Sequence, residues 1–286
     1  MMQSRKLLVR QTLTISALLL SAATSVQAAD WSDNAISYWY GTRFAEPGID
    51  GPIAKNIVEF THVDGYKYGS NFLDVQVLFS DKKDPADGGG NGATEVYAIY
   101  RHQLSLNKIS GKDFKWGPVR DWSLSGGFDW NTKNTAFAPA KRMLVIGPTI
   151  NFDVPGFWDL SVMYRSERNH NGLSSAQEHD VRFNDTYYLE TAWGIPFQLG
   201  SVPLKFKGFA NFIPPKGKDG FGNDTVSETL VHASLLVDVG KLTFGKKDTF
   251  FAGVGYEYWK NKFGNNSAYT PGTEANTPFL NLEWHL

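Results

Sequence analysis

The chain has 286 residues, with 28 Lys+Arg against 29 Asp+Glu and no cysteine. A net charge near zero leaves no electrostatic footprint for nucleic acid. The lack of cysteine excludes disulfide staples, thiolate metal sites and a cysteine nucleophile.

Residues 1–28 place Arg5, Lys6 and Arg10 ahead of an uncharged stretch centred on "ISALLLSAA", with Val26 and Ala28 at its end. This is the three-part pattern of a secretory signal peptide, with cleavage expected after Ala28. Its apolar part falls short of the ~20 residues that a helix needs to cross a bilayer. The mature part, 29–286, is then one domain carrying 25 basic against 29 acidic residues.

Helix signals are nearly absent after residue 30, and strand residues crowd short runs between Gly, Asn, Asp and Pro clusters. Alternating side chains point to opposite faces of a strand, so each run can be read for its two faces. Weak alternation at 36–43 and 55–63 gives the first two strands. In "NFLDVQVLFS", Leu73, Val75, Val77 and Phe79 oppose Asp74 and Gln76. In "TEVYAIYRHQL", Val96, Ala98, Tyr100 and Leu104 oppose Glu95, Arg101 and Gln103. A weak strand at 119–130 precedes "RMLVIGPTINF", where Leu144, Ile146, Ile150 and Phe152 oppose Thr149 and Asn151. "FWDLSVMYRSE" sets Trp158, Leu160, Val162 and Tyr164 against Asp159, Ser161, Met163, Arg165 and Glu167. After a weak strand at 180–193, "PLKFKGFANF" sets Leu204, Phe206, Ala210 and Phe212 against Lys205, Lys207, Phe209 and Asn211. "ETLVHASLLVDV" sets Val231, Ala233, Leu235 and Val237 against Glu228, His232 and Ser234. A weak strand at 249–262 leads to the last one, "TPFLNLEWHL", with Leu280, Leu282, Trp284 and Leu286 opposite Phe279, Asn281, Glu283 and His285.

These make twelve strands. Long polar loops such as "DKKDPADGGGNG" and "GNNSAYTPGTEAN" follow every odd strand, while the other connections are mostly tight, apart from "SLNKISGKDFKWGP". A soluble sandwich also alternates, but an even number of ~10-residue strands with long loops at one end is the pattern of an outer-membrane barrel. The fold expected is an all-β, twelve-stranded antiparallel transmembrane barrel. Tyr38, Tyr40, Tyr100, Trp122, Phe152, Trp158, Tyr164, Trp193, Tyr258 and Trp284 would supply its interfacial girdles. Closure needs the terminal strand to pair with the first, which explains a chain that ends without a polar tail.

The polar face would then be a lumen lined by Arg43, Glu59, Asp74, Glu95, Arg101, Asp121, Asp159, Arg165, Glu167, Lys205, Lys207, Glu257 and Glu283, with Trp39, Phe209, Phe251, Trp259 and Phe279 on the same face. A charge-selective pore would carry a ring of one sign, whereas mixed charges and aromatics suit a neutral, hydrogen-bonding solute. Phe209, flanked by Lys207 and Asn211, is the best single binding point by this reading. The alternative is that these charges pair across the lumen and stiffen it. The six histidines, at 62, 102, 170, 179, 232 and 285, are tied by spacing to no nucleophile. His62 and His102 fall near opposite strand ends and His170 and His179 bracket a loop, all as rim residues. No metal motif occurs and "GGGNG" opens no helix, so no catalytic residue, metal or cofactor is expected.

The run "YRHQLSLNKISGKDFKWGPVRDWSLSGGFDW" resembles the outer-membrane family of the nucleoside-specific channel Tsx and its OmpK-like relatives, as do "WSDNAISYWYGTRF", "IVEF", "FFAGVGYEYWKNKFG" and "PFLNLEWHL". The resemblance spans the mature chain and is most specific over 104–122. It implies a monomeric twelve-stranded barrel whose narrow lumen passes nucleosides, with surface loops open to phages or colicins and a last strand read by the barrel assembly machinery. Leu286 stands where such barrels usually end in Phe. A general porin, or a surface receptor with an irrelevant lumen, remains the alternative reading.

Overall fold

The structure, a computed structural model, describes residues 29–174 and 179–286. The expected signal segment, 1–28, lies outside the described residues. Thirteen strands follow one another: β1 Trp31–Phe44, β2 Ile53–Tyr66, β3 Gly69–Ser80, β4 Thr94–Ser105, β5 Val119–Lys133, β6 Arg142–Phe152, β7 Phe157–His170, β8 Asp180–Arg182, β9 Thr186–Leu199, β10 Val202–Ile213, β11 Glu228–Asp238, β12 Phe250–Lys260 and β13 Glu274–His285. They form one sheet in which β1 pairs with β13 and β6 with β7, so that it closes on itself.

Strand β8 pairs with the end of β7 at Arg168↔Arg182, and β9 takes over beside β7 from Arg165↔Thr186. The two occupy one place in the sheet, which gives a closed antiparallel barrel of twelve strand positions. The strand expected at 180–193 is thus interrupted after Arg182 and runs on to Leu199. Strand β1 starts five residues before the expected 36, because its pairing with β2 continues to Trp31↔Gly65 after the apolar alternation has stopped. Backbone pairing outlasts the greasy band; side-chain pattern marks only that band.

One end carries the long connections 45–52, 81–93, 134–141, 171–179, 214–227 and 261–273. In outer-membrane barrels this end faces the cell exterior. At the other end 67–68 and 200–201 are two-residue turns and 153–156 is a four-residue one. The 106–118 connection holds a short helix, Leu106–Ser110, capped by the Ser105 hydroxyl. A second short helix, Val239–Phe244, is capped by Asp238. It lies between two alternating runs and has no pattern of its own to announce it.

The two faces separate as the alternation requires. Leu280 is 57% exposed while its neighbour Asn281 is fully buried, and Leu235 is 44% exposed while Ser234 is 2% exposed. Ile36, Leu144, Ile146, Val162, Val254 and Leu282 share the exposed outer face with Tyr38, Tyr40, Trp122, Trp158, Tyr164 and Trp284. A closed sheet with aliphatic residues turned outward and charges turned inward is stable only with lipid outside, since water would leave the apolar belt uncovered and hydrocarbon would not tolerate an open edge. The protein therefore sits in the lipid bilayer of a bacterial outer membrane.

Closure can be tested because the chain has no native cysteine. Tyr38 and Leu282 are register partners across β1 and β13, so the double variant Tyr38→Cys, Leu282→Cys should cross-link on oxidation, detected by a changed gel mobility. The offset pair Tyr38→Cys, Leu280→Cys should not, and the reverse result would mean a different closure register. Leu235→Arg should lower stability in a urea titration in liposomes by ~2–4 kcal/mol, the cost of arginine at mid-membrane on the lipid face. Leu235→Phe should fold normally.

Candidate functional site

An aromatic stack runs along the inner face of the neighbouring strands β10 to β13 and β1. His232 on β11 lies parallel to Phe279 of β13 at 4.6 Å and to Phe209 of β10 at 5.4 Å. Trp39 of β1 packs on His232 at 4.6 Å and on Phe279 at 5.7 Å. The wall beside Phe279 is Gly255, and a Cβ there would collide with the ring. Glycine on β12 is what lets Phe279 lie flat against the sheet.

Below the stack, Glu283 of β13 accepts from Lys205 at 3.1 Å, from Lys207, and from His285 at 2.9 Å. His285 also meets Asp33 at 2.8 Å, and Lys205 lies over the Phe251 ring at 4.6 Å. On the adjoining wall, Gln76 donates to Glu59 at 3.3 Å and Thr61 to Asp74 at 3.2 Å. Glu59 and Asp74 share a hydrogen bond between their carboxyl groups, and Ser37 Oγ, Trp39 Nε1 and Asn281 Oδ1 are buried without a protein partner, as is Asn211 Oδ1 two residues along β10 from Phe209.

The opposite wall is tied more completely. Arg101 on β4 forms a pair with Asp129 at 2.7 Å and reaches over to Glu190 of β9 with two bonds of 2.9 and 3.0 Å. Such a forked guanidinium–carboxylate contact fixes both groups in direction as well as distance. Arg165 pairs with Glu167, which also accepts from Lys216 of the 214–227 connection at 3.1 Å. Toward the periplasm this wall continues with Ser125, Thr149 and Ser161, joined at 2.6 and 2.7 Å.

At the outer end, the loops fold over the mouth. Glu46 from the 45–52 loop pairs with Lys55, with Lys133 at 3.3 Å and with Lys262 at 3.2 Å, and Lys133 continues to Asp84 at 2.7 Å. Around this knot each loop is bonded to the next. Gly48 N–H donates to Pro271, Val226 to Gly264, Asn184 to Lys216, Gly172 to Phe137 and Asp87 to Asn134. The Ser174 hydroxyl donates to Gly220, and the Lys83 ammonium to Pro52 closes the ring.

The residues expected in the lumen divide accordingly. Phe209, Lys205, Lys207, Glu283, Glu59 and Asp74 come together around the stack, whereas Arg101, Arg165 and Glu167 belong to the tied wall. Asn211 lies between Glu190 and Leu230 in register. Glu95 accepts from Asn131 at 2.8 Å near the outer end. Trp259 donates to Glu228 at 2.7 Å, and Glu257 stands between His232 and Thr277 in register. Asp121 accepts from the Asn107 backbone at the periplasmic end, and Asp159 from Gln103 and Asn151 at 2.9 and 2.7 Å.

Arg43 is a correction. A bulge between Gly41 and Phe44 shifts the register, so Phe44 takes the inward position and Arg43 is exposed. It lines a cavity of about 250 Å³ with Glu274 and Asn276. The histidine placement also changes. His62 and His102 are at the same, periplasmic end, joined through Asp64 and Asn71 on the outer face. The alternation had put His232 on the inner face, but only the fold makes it the centre of the stack. Glu46, Lys216 and Lys262 come from connections, where no periodicity could have singled them out.

No protein-family model matches the chain, and no curated protein matches it. Among solved structures it is similar to the translocator domain of the autotransporter NalP from Neisseria meningitidis, with 10% identity over 98% of this chain and 97% of that one and a TM-score of 0.46. It is also similar to the NanC porin, with 8% identity over 88% and 100% and the same score of 0.46. Pseudomonas aeruginosa OpdK with vanillate is more distant, with 9% identity over 89% and 98% and a TM-score of 0.28. None of these carries the argument, which rests on the closed sheet and its two faces.

Burial alone would raise the pKa of Glu46, but Lys262, Lys55 and Lys133 around it hold the carboxyl well below its usual 4.5. A depressed carboxyl stabilises above its unfolded value and loses that contribution only as pH falls through the folded one. Conductance and outer-loop protection should therefore stay flat from about pH 8 to about pH 5. Glu46→Gln should lower stability by ~3–5 kcal/mol, since it leaves buried lysines uncompensated, and should speed trypsin cleavage of the outer loops on whole cells. Unchanged cleavage would mean that the knot does not hold the cap.

Proposed function

We propose that the protein is an outer-membrane channel through which nucleosides, or similar small polar solutes with a flat ring, diffuse passively. The observation that carries this reading is the Phe209–His232–Phe279–Trp39 stack, set on the inner wall beside hydrogen-bonding groups of both signs. A nucleoside offers a π-face for the stack and a ribose and base edge for the polar atoms. The resemblance to the Tsx and OmpK-like channels points the same way. Conduction needs sites that admit the solute and release it again. Stacking contributes ~1–3 kcal/mol per base, which is too weak to trap it.

A second reading is favoured by the outer end. Loops bonded into one ring over a mouth filled by the Glu46 knot present a fixed surface of the kind a phage or colicin could grip. In that reading the lumen is incidental. The mature chain would begin at Ala29 after signal cleavage in either case, and its last strand would serve the assembly machinery that inserts such barrels.

Purified protein in planar bilayers should conduct ions, and millimolar nucleoside should block part of that current. Phe209→Ala should leave ionic conductance intact or raised and weaken the block by about tenfold. A protein that inserts but does not conduct would favour the receptor reading. Conductance without nucleoside block would leave a general porin.

A further inference from the structure

On the outer face, at the end of the barrel that carries the long connections, three arginines stand in one line. Arg142 of β6 opposes Arg168 of β7, and Arg168 opposes Arg182 of β8. The alternation that turns Met143 and Glu167 inward turns these arginines outward, where each is exposed. Trp130 of β5, the register partner of Arg142, extends the row with an aromatic ring. Toward mid-membrane on the same face come the exposed Leu144, Ile146, Tyr164 and Tyr187 of the apolar belt. The row therefore stands at the height of the lipid head groups of the outer leaflet.

Like charges opposed across neighbouring strands repel, and the chain does little to neutralise these. Among the described residues, Arg142 and Arg168 have no ion pair and no side-chain hydrogen bond, and Arg182 has only Asp185 at 4.0 Å. Asp185 is itself engaged by the Tyr164 hydroxyl at 2.8 Å, and Asp180, one step farther out, by His170 at 3.2 Å. The same rim is built differently elsewhere: the exposed Lys260 of β12 opposes the exposed Glu274 of β13. Opposite charges meet there, whereas β6, β7 and β8 hold three cations side by side.

We propose that this row binds the phosphate groups of a glycolipid of the outer leaflet, whose head group lies across β6, β7 and β8. A guanidinium offers a planar fork of donors that a phosphate accepts two at a time. Strands ~4.8 Å apart spread three such forks over about 10 Å, room for a head group with more than one phosphate. The acyl chains of the same lipid run down the belt over Leu144, Ile146 and Tyr164, with Trp130 at the edge of the head group. Depth and charge together select this ligand: a water-soluble anion gains nothing from the belt, and a zwitterionic lipid little from the row. The lipid also holds β8 in place, a strand three residues long that meets β7 in three register pairs. Solute passage through the lumen plays no part in it.

The test titrates the folded barrel in a neutral detergent with diphosphoryl lipid A, with phosphatidylglycerol and with phosphatidylcholine, bound lipid being counted by native mass spectrometry. Diphosphoryl lipid A should bind at a concentration about tenfold lower than either phospholipid, and millimolar inorganic phosphate should not displace it. Each of Arg142→Gln, Arg168→Gln and Arg182→Gln should weaken that binding about fivefold, and the triple variant about a hundredfold. Lys260→Gln removes one cation from the same rim and should leave the binding unchanged. Heat-shifted gel mobility checks that each variant has folded, and the single variants carry the comparison if the triple one does not fold. Binding that survives the arginine substitutions, or that Lys260→Gln weakens equally, would overturn the site. Equal binding of phosphatidylglycerol would overturn it in favour of a general anionic surface, and displacement by inorganic phosphate in favour of a site for the free ion.

Discussion

Every peptide group that faces hydrocarbon must find its hydrogen bond within the protein, and in a sheet that demand is met only when there is no edge. The pairing of β13 with β1 is where this chain meets it, residue by residue from Ala35↔His285 to Gly41↔Phe279. An even number of strand positions, the start of β1 and the end of β13 at one face, and an in/out division of side chains all follow from that one requirement. Lipid takes the apolar side, so the charged side has nowhere to go except inward.

Charge turned inward creates the second problem, that of removing ions from bulk water. The tied wall solves it by pairing, with Arg101 held between Asp129 and Glu190 and Glu167 between Arg165 and Lys216. Buried pairs of this kind return little net stability, because desolvation consumes most of the Coulombic gain; their value is in holding distant strands at a fixed separation. The opposite wall, around Trp39 and Asn281, is tied less completely, and one nitrogen of Arg165 on the tied wall is likewise left unpaired.

The barrel was legible because period-two alternation is a local signal and lipid enforces it over every strand. Asp74, Lys207 and Glu283 could be placed on the inner face from their immediate neighbours alone. Arg43 could not, because a bulge between Gly41 and Phe44 changes the phase within three residues and nothing in "GTRF" declares it. Neither could the pairing of inner residues across the lumen. Lys207 and Glu283 lie on strands three places apart, and alternation gives direction without partner. Glu46, Lys216 and Lys262 are further removed still, since loops have no period. Their roles appear only when the far ends of the sheet are brought together.

The ring of bonds joining the outer loops has an evolutionary consequence. Surface loops of membrane proteins are commonly regarded as independent segments, each free to change under selection from outside the cell. Here a substitution at Lys262 would burden Lys55 and Lys133 with the whole charge of Glu46, and one at Gly264 would disturb the bond to Val226 in the loop before it. Replacements in one loop will thus be tolerated only against particular sequences in its neighbours. Natural variants should carry correlated exchanges around the mouth, and a single loop grafted from a related barrel should be accepted less readily than the whole set.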